Sequence, residues 1–283
     1  MSNMNAPLPD FDNPPVVEVA LSAQFETLSK LRTPQFGLLW REFRERFPIT
    51  EDHAPLNAVI ERFGGPKTAK VQTRFEMFQS PPAPRCWFLN KVGTELVQVQ
   101  QDRIIHNWRK AVTNAEYPRY EHVRKAFKSE LERFRAFLER EQLGDLNPNQ
   151  CEITYVNHIV AGQGWKNHAE LGEVLTVFEP RYTDEFLSLP EDVHIKLSHL
   201  MVDSAGEPLG RLHVQVEPVF RRDDDRPMWL LNLTARGRPD GEGIDGVLRF
   251  LDIGREWVVR GFASVTTEKM HKIWGRKDGN KRS

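Results

Sequence analysis

Apolar and polar positions alternate with period two through VVEVALSAQF, where Val17, Val19, Leu21 and Ala23 are separated by Glu18, Ala20, Ser22 and Gln24. The pattern predicts a half-buried strand. The period then lengthens. After Thr33-Pro34, a helix-start signature, Phe36, Leu39, Trp40, Phe43 and Phe47 recur every three or four residues and predict one amphipathic helix ending near Pro48. From Ile49 to Arg85 the pattern is poor. Gly64-Gly65-Pro66 and Pro81-Pro82-Ala83-Pro84 mark a long connection with room for one strand around Val71 to Phe78.

Cys86 to Asn90, Leu96 to Gln100 and Arg103 to Trp108 read as a meander of three antiparallel strands. Beyond Tyr117-Pro118, the residues Tyr120, Val123, Phe127, Leu131, Phe134 and Leu138 form one helical stripe that stops at Gly144. The charges interleaved with it, Glu121, Glu130 and Glu132 among them, are expected on its solvent side in ion pairs. The plan then recurs. Glu152 to Val160 is a strand, Glu191 to Val202 and Gly210 to Phe220 form a hairpin about Asp203-Ser204-Ala205-Gly206, and Trp229 to Ala235 adds a third run. Ile244, Val247, Leu248, Leu251, Val258 and Phe262 give a closing helix. The expected fold class is α+β: two similar halves, 14–146 and 147–275, each an antiparallel meander sheet packed on a long helix, able to join in one continuous sheet. A flexible N-terminus, 1–13, and a disordered basic tail, 276–283, flank them. The repeat is one of element order, without a residue-by-residue alignment.

Composition narrows the function classes. Lys plus Arg total 39 against 40 for Asp plus Glu, a net charge of -1, so no global field favours nucleic acid or an anionic membrane. The two cysteines, Cys86 and Cys151, are too few for a disulfide scaffold and lack zinc or redox spacing, which fits a reducing compartment, the cytoplasm. No run approaches the ~20 apolar residues of a membrane span, and residues 1–30 show no basic start followed by an apolar stretch, so neither membrane insertion nor secretion is expected.

The common catalytic signatures are missing. Gly162-Gln163-Gly164 and the turn Gly237 to Gly246 lack the residues of a phosphate loop, and there is no Gly-x-Ser-x-Gly elbow or His-Glu-x-x-His. His199 and His213 can meet across the expected hairpin, but solvated cross-strand histidines explain them as well. Asp223-Asp224-Asp225, flanked by arginines, reads as a solvated turn. Polar and aromatic residues at strand ends remain: Asn107, Trp108, Tyr155, Asn157, His158 and Trp165. Asn157 and His158 interrupt an apolar strand, so each needs a hydrogen-bond partner if buried. The tryptophans Trp108, Trp165 and Trp274 mark a recognition surface if exposed and loop packing if not. These residues are the candidate binding set, with no catalytic residue, metal or cofactor assigned.

Read together, Asn13-Pro14-Pro15-Val16-Val17-Glu18-Val19, Asp102 to Arg109 (DRIIHNWR), Tyr117-Pro118-Arg119-Tyr120, Ile153 to Ile159 (ITYVNHI) and the ending Phe262 to Trp274 resemble a sporadically distributed, largely uncharacterised bacterial family. The resemblance spans the whole chain. One departure is Leu251-Asp252-Ile253-Gly254-Arg255, where such sequences often carry Leu-His. The resemblance implies an accessory gene of the kind found in defence or toxin-related systems, and it supplies no catalytic residues to carry over. The expected function is a non-catalytic binding module whose partner is another protein, self or neighbour-encoded. A small-molecule or nucleic-acid sensor is the alternative, and an enzyme of unfamiliar mechanism a second one.

Overall fold

The computed structural model describes residues 7–64, 83–111, 116–179, 186–203 and 205–277. The strand expected around Val71 to Phe78 and residues 278–283 of the basic tail lie outside them. In chain order come a short strand, Asp10–Phe11 (β1), the alternating segment Val16–Phe25 (β2) and the helix Thr33–Phe43 (α1). Pro34 sits in the first turn of α1, where a missing N–H costs no hydrogen bond. Ile49–His53 (β3) precedes the three-strand meander Arg85–Leu89 (β4), Glu95–Gln100 (β5) and Arg103–Arg109 (β6), and Tyr120–Arg140 (α2) completes the first half. The second half runs Pro148–Val160 (β7), a short turn of helix Leu171–Val174 (α3), Ile195–Val202 (β8), Pro208–Phe220 (β9), Pro227–Gly237 (β10) and Gly243–Val265 (α4). Glu268–Ile273 (α5) and Arg276–Lys277 (β11) end it.

Nine strands form one antiparallel sheet in the order β3-β4-β5-β6-β2-β7-β10-β9-β8. β2 and β7 pair at its middle, with Leu21 opposite Ile153. Outward from β2 lie β6, β5 and β4; outward from β7 lie β10, β9 and β8. The strands of residues 14–146 and of residues 147–275 therefore join in one continuous sheet, with β3 at one edge. Among the described residues no helix is long and apolar enough to cross a membrane.

Side chains alternate across each strand, so one face is apolar and carries the helices. α2 lies on β6 and β2, while α4 lies on β7, β10 and β9 and touches α2. Phe25 meets Phe134 of α2 with ring centroids 5.7 Å apart. Gly254 lets α4 approach closely: a Cβ there would sit 2.7 Å from Ile153 Cγ2 and 3.2 Å from Ala235 Cβ. Phe127, Leu131, Phe134 and Leu138 are buried along α2, each stabilising the fold by about 1.5–3 kcal/mol relative to exposure.

Glu130 is a correction. Expected on the solvent side of α2, it is buried, because a position three residues after Phe127 falls on the apolar stripe. Its carboxylate oxygens lie 3.0 and 2.9 Å from His106 Nδ1 and 3.2 Å from Arg46. A buried carboxyl group needs hydrogen-bond partners of this kind.

The opposite face of the sheet is polar. Gln100 on β5, Arg103 on β6, Gln24 on β2 and Gln150 on β7 stand opposite one another in successive register pairs, forming one row across four strands. All four are buried under the segment 54–63, which follows β3. Left unpaired, each buried amide would cost about 1–3 kcal/mol.

The termini also differ from expectation. Asp10 and Phe11 pair with Lys277 and Arg276, and the amides of Asp12 and Asn13 donate to Gly275 and Trp274. These parts of the expected flexible N-terminus and disordered tail form a ribbon instead, anchored by Phe11 against Phe262, His271 and Trp274.

Candidate functional site

A cavity of about 450 Å³ lies on the helix side of the sheet, bounded by β7, the start of α2, the middle of α4 and the β1–β11 ribbon. Phe11, Val16, Leu233, Val258 and Phe262 supply apolar walls; Tyr117, Tyr155, Asn157, Arg119, Arg255 and Lys277 supply polar groups, with the Asp10 and Glu121 carboxylates beside them. That volume falls within the ~300–1,000 Å³ typical of small-molecule sites. A wider hollow of about 750 Å³ near Lys128, Glu132, Arg135 and the turn before α4 has mostly polar walls and offers no apolar enclosure.

Local backbone geometry aims the polar groups. Arg119, the residue before α2, has φ 69 and ψ 157, a conformation that other residues than glycine adopt at a cost of ~1–3 kcal/mol and keep where the surroundings hold it. Its guanidinium donates to Asp10 (2.9 Å), tying the ribbon over the cavity. Tyr120 donates to Asp252 (2.8 Å), which Arg124 grips through two bonds of 2.7 and 2.8 Å. Arg255, three residues after Asp252 on α4, lies over the Tyr120 ring, 4.9 Å from its centroid. One of its terminal nitrogens approaches Glu121 at 3.4 Å. Its Nε is buried and has no hydrogen-bond partner.

The hydroxyls of Tyr117 and Tyr155 are 2.8 Å apart. Burial pushes the phenols of Tyr117, Tyr120 and Tyr155 above the ordinary tyrosine range. They therefore stay protonated at neutral pH and act as neutral hydrogen-bonding groups. The lining holds neither histidine nor cysteine. Burial also raises the two thiols elsewhere in the sheet, Cys86 to about 12 and Cys151 as well, so neither is a ready nucleophile. Among the described residues no group of three or more His, Cys, Asp or Glu converges on a metal position. The arrangement can hold an anion beside an apolar body.

The candidate residues separate into four places. Tyr155 and Asn157 line the cavity, and the Asn157 amide also donates to the Leu231 carbonyl at 3.1 Å. Trp108 is buried behind Tyr117, with ring centroids 5.3 Å apart. Asn107 and His158 belong to the polar face: Asn107 accepts from Gln98 at 2.7 Å, and His158 stands opposite Leu230 in the β7–β10 register. Neighbouring strand positions point to opposite faces, so Asn157 and His158 do not act as a pair. Trp165 is buried against Trp229 and His168 and presents no surface. His213 and His199 also take opposite faces, since Ser198, not His199, stands opposite His213.

Pro14, Val16, Tyr117, Arg119, Tyr120, Tyr155, Asn157 and Phe262 come from four of the sequence phrases quoted above, and all line this one cavity. Arg255 and Phe11 were not read from the sequence. A charged residue in a helix gives no local sign that a distant ribbon will enclose it. No family model and no curated protein matches this chain.

Proposed function

We propose that this chain is a non-catalytic binding module whose cavity takes a small amphipathic carboxylate. The observation that carries the reading is the Nε of Arg255, buried without a hydrogen-bond partner beside the apolar walls of Phe11, Val16, Leu233, Val258 and Phe262. A guanidinium offers a planar fork of donors that fits a carboxylate through two parallel bonds. Stacking on Tyr120 holds the fork flat, and the Tyr117–Tyr155 pair supplies a further hydroxyl donor. Phe11, Val258 and Phe262 receive the apolar body, and the ribbon closes over it.

The shared strand order on either side of the β2–β7 pair supports an origin by internal duplication, and two free, buried cysteines support a reducing, cytoplasmic setting. The test is thermal denaturation with straight-chain carboxylates of increasing length, each against its matched alcohol. A carboxylate at a hundred times its Kd should stabilise the fold by ~2.7 kcal/mol, while the alcohol should not. Equal shifts from acid and alcohol, or no shift from any acid, would refute the reading.

A further inference from the structure

Residues 54–63 cross the polar face nearly at right angles to its strands. Leu56 sits at β5 on Gln100, Asn57 at β6 on Arg103, Val59 at β2 on Gln24 and Glu61 at β7 on Gln150. Three inter-strand steps of ~4.8 Å make roughly 14 Å, and five fully extended residues reach roughly 17 Å. The segment is therefore almost fully drawn out.

The sheet holds it mainly by its backbone. Gln100 accepts from the Leu56 N–H and donates to the Leu56 carbonyl, both at 2.9 Å. Gln24 and Gln150 accept from the N–H groups of Val59 (3.0 Å) and Glu61 (2.9 Å). Arg103 and Arg211 donate to the carbonyls of Asn57 (3.1 Å) and Arg62 (2.8 Å). Any extended chain offers those groups. Side-chain selectivity is concentrated at the far end, where Arg211, His213 and Arg236 surround the Glu61 carboxylate. The Arg211 guanidinium also lies 4.8 Å from the Phe63 ring centroid. Leu56, Val59 and Ile60 remain exposed.

We infer that this row of buried amides and arginines is a docking track for an extended, glutamate-bearing peptide of a partner protein, and that residues 54–63 are its resident occupant. Backbone-directed amides give the track its tolerance, and Arg211, Arg236 and His213 around the carboxylate, with Arg211 over an aromatic, select a Glu-x-Phe pattern, as in Glu61-Arg62-Phe63. A partner peptide of that chemistry takes the place of the strap. The site is on the opposite face from the cavity and stands independently of it.

The experiment uses the full chain with residues 54–63 replaced by a Gly-Ser repeat of equal length, its folding checked by circular dichroism. The probe is a fluorescent peptide of the native 54–63 sequence, followed by polarisation. The replaced chain should bind it with micromolar affinity, and a peptide carrying Glu61→Gln should bind ~30-fold or more weakly, the loss expected when a desolvated carboxylate leaves its guanidinium partners. If the replaced chain does not fold, the full chain carrying Glu61→Gln serves instead. Its loosened strap should admit the native peptide more tightly than the wild type does. A folded replaced chain that ignores the peptide, equal binding of the native and Glu61→Gln peptides, no gain in the Glu61→Gln chain, or preference for a single-stranded oligonucleotide would each overturn the inference.

Discussion

The Tyr117 hydroxyl lies 2.8 Å from the Tyr155 hydroxyl, joining the approach to α2 with the middle of β7. Only one of the two can donate within that bond, so the other retains a proton for a ligand in the cavity. Tyr155→Phe removes one partner while keeping the ring. It should lower the urea unfolding free energy by about 0.5–1.5 kcal/mol with an unchanged denaturant slope. A loss several times larger would mean that the hydroxyls anchor more of the fold than this contact.

His106 and Glu130 form a second buried pair, away from the cavity lining. Glu130→Leu strands the buried His106, and His106→Leu leaves the Glu130 carboxyl only its 3.2 Å contact with Arg46, so each should destabilise by about 1–3 kcal/mol. The double variant His106→Leu/Glu130→Leu should cost less than either single one, because Arg46 keeps Glu95 as a partner. Equilibrium unfolding of the three variants gives the coupling directly, and additive losses would contradict it.

The ribbon that closes the cavity should loosen in acid. An arginine can only donate, so Arg276 donates to His271 Nδ1 (2.9 Å), and His271 Nε2–H is left to donate to Thr266 (2.8 Å). The ring must be neutral for both bonds. Burial, and then Arg276, hold His271 below its ordinary value of 6.5, with Glu268 opposing them. The folded state thus binds the proton less well than the unfolded one. The contribution to stability is full above pH 6.5 and is lost as pH falls through the lowered folded value. Amide exchange at residues 10–13, corrected for intrinsic rates, should accelerate over this window, and His271→Gln should abolish the step. Protection that stays constant from roughly pH 7.5 to 5 would contradict it.

Gly254→Ala should destabilise the protein despite improving helix propensity. The propensity gain is about 1 kcal/mol. Pressing a methyl 2.7 Å from Ile153 Cγ2 forces α4 off the sheet, and such overpacking costs about 1–3 kcal/mol. A lower melting temperature is expected, with weaker carboxylate binding because Arg255 moves with the helix. An unchanged or raised melting temperature would show that α4 has room to shift.

Much of this architecture is legible in hydrophobic periodicity. The period-two run of β2, the three-strand meander and the stripe of α2 all rest on local patterns that one buried face imposes. Periodicity gives Glu130 its angle on the helix but not the His106 that bonds it across the fold. Asn157 and His158 look like one polar motif in sequence and separate once the pleat sends them to opposite faces. Gln24, Gln100 and Gln150 resemble ordinary polar strand residues, since their shared row exists only after four strands take their register. Arg255 becomes a cavity group only because Asp10 pairs with Lys277, residues 267 positions apart in the chain. Local sequence patterns hold no trace of such a distant closure.

Calorimetric titration of decanoate and decanol into the wild type and into Arg255→Met tests the cavity assignment most directly. The wild type should bind one decanoate and leave decanol unbound, and Arg255→Met, with its fold intact by circular dichroism, should bind decanoate at least ~10-fold more weakly. Equal affinity of the variant for decanoate, or wild-type binding of decanol as tight as that of the acid, would contradict a guanidinium-centred carboxylate site.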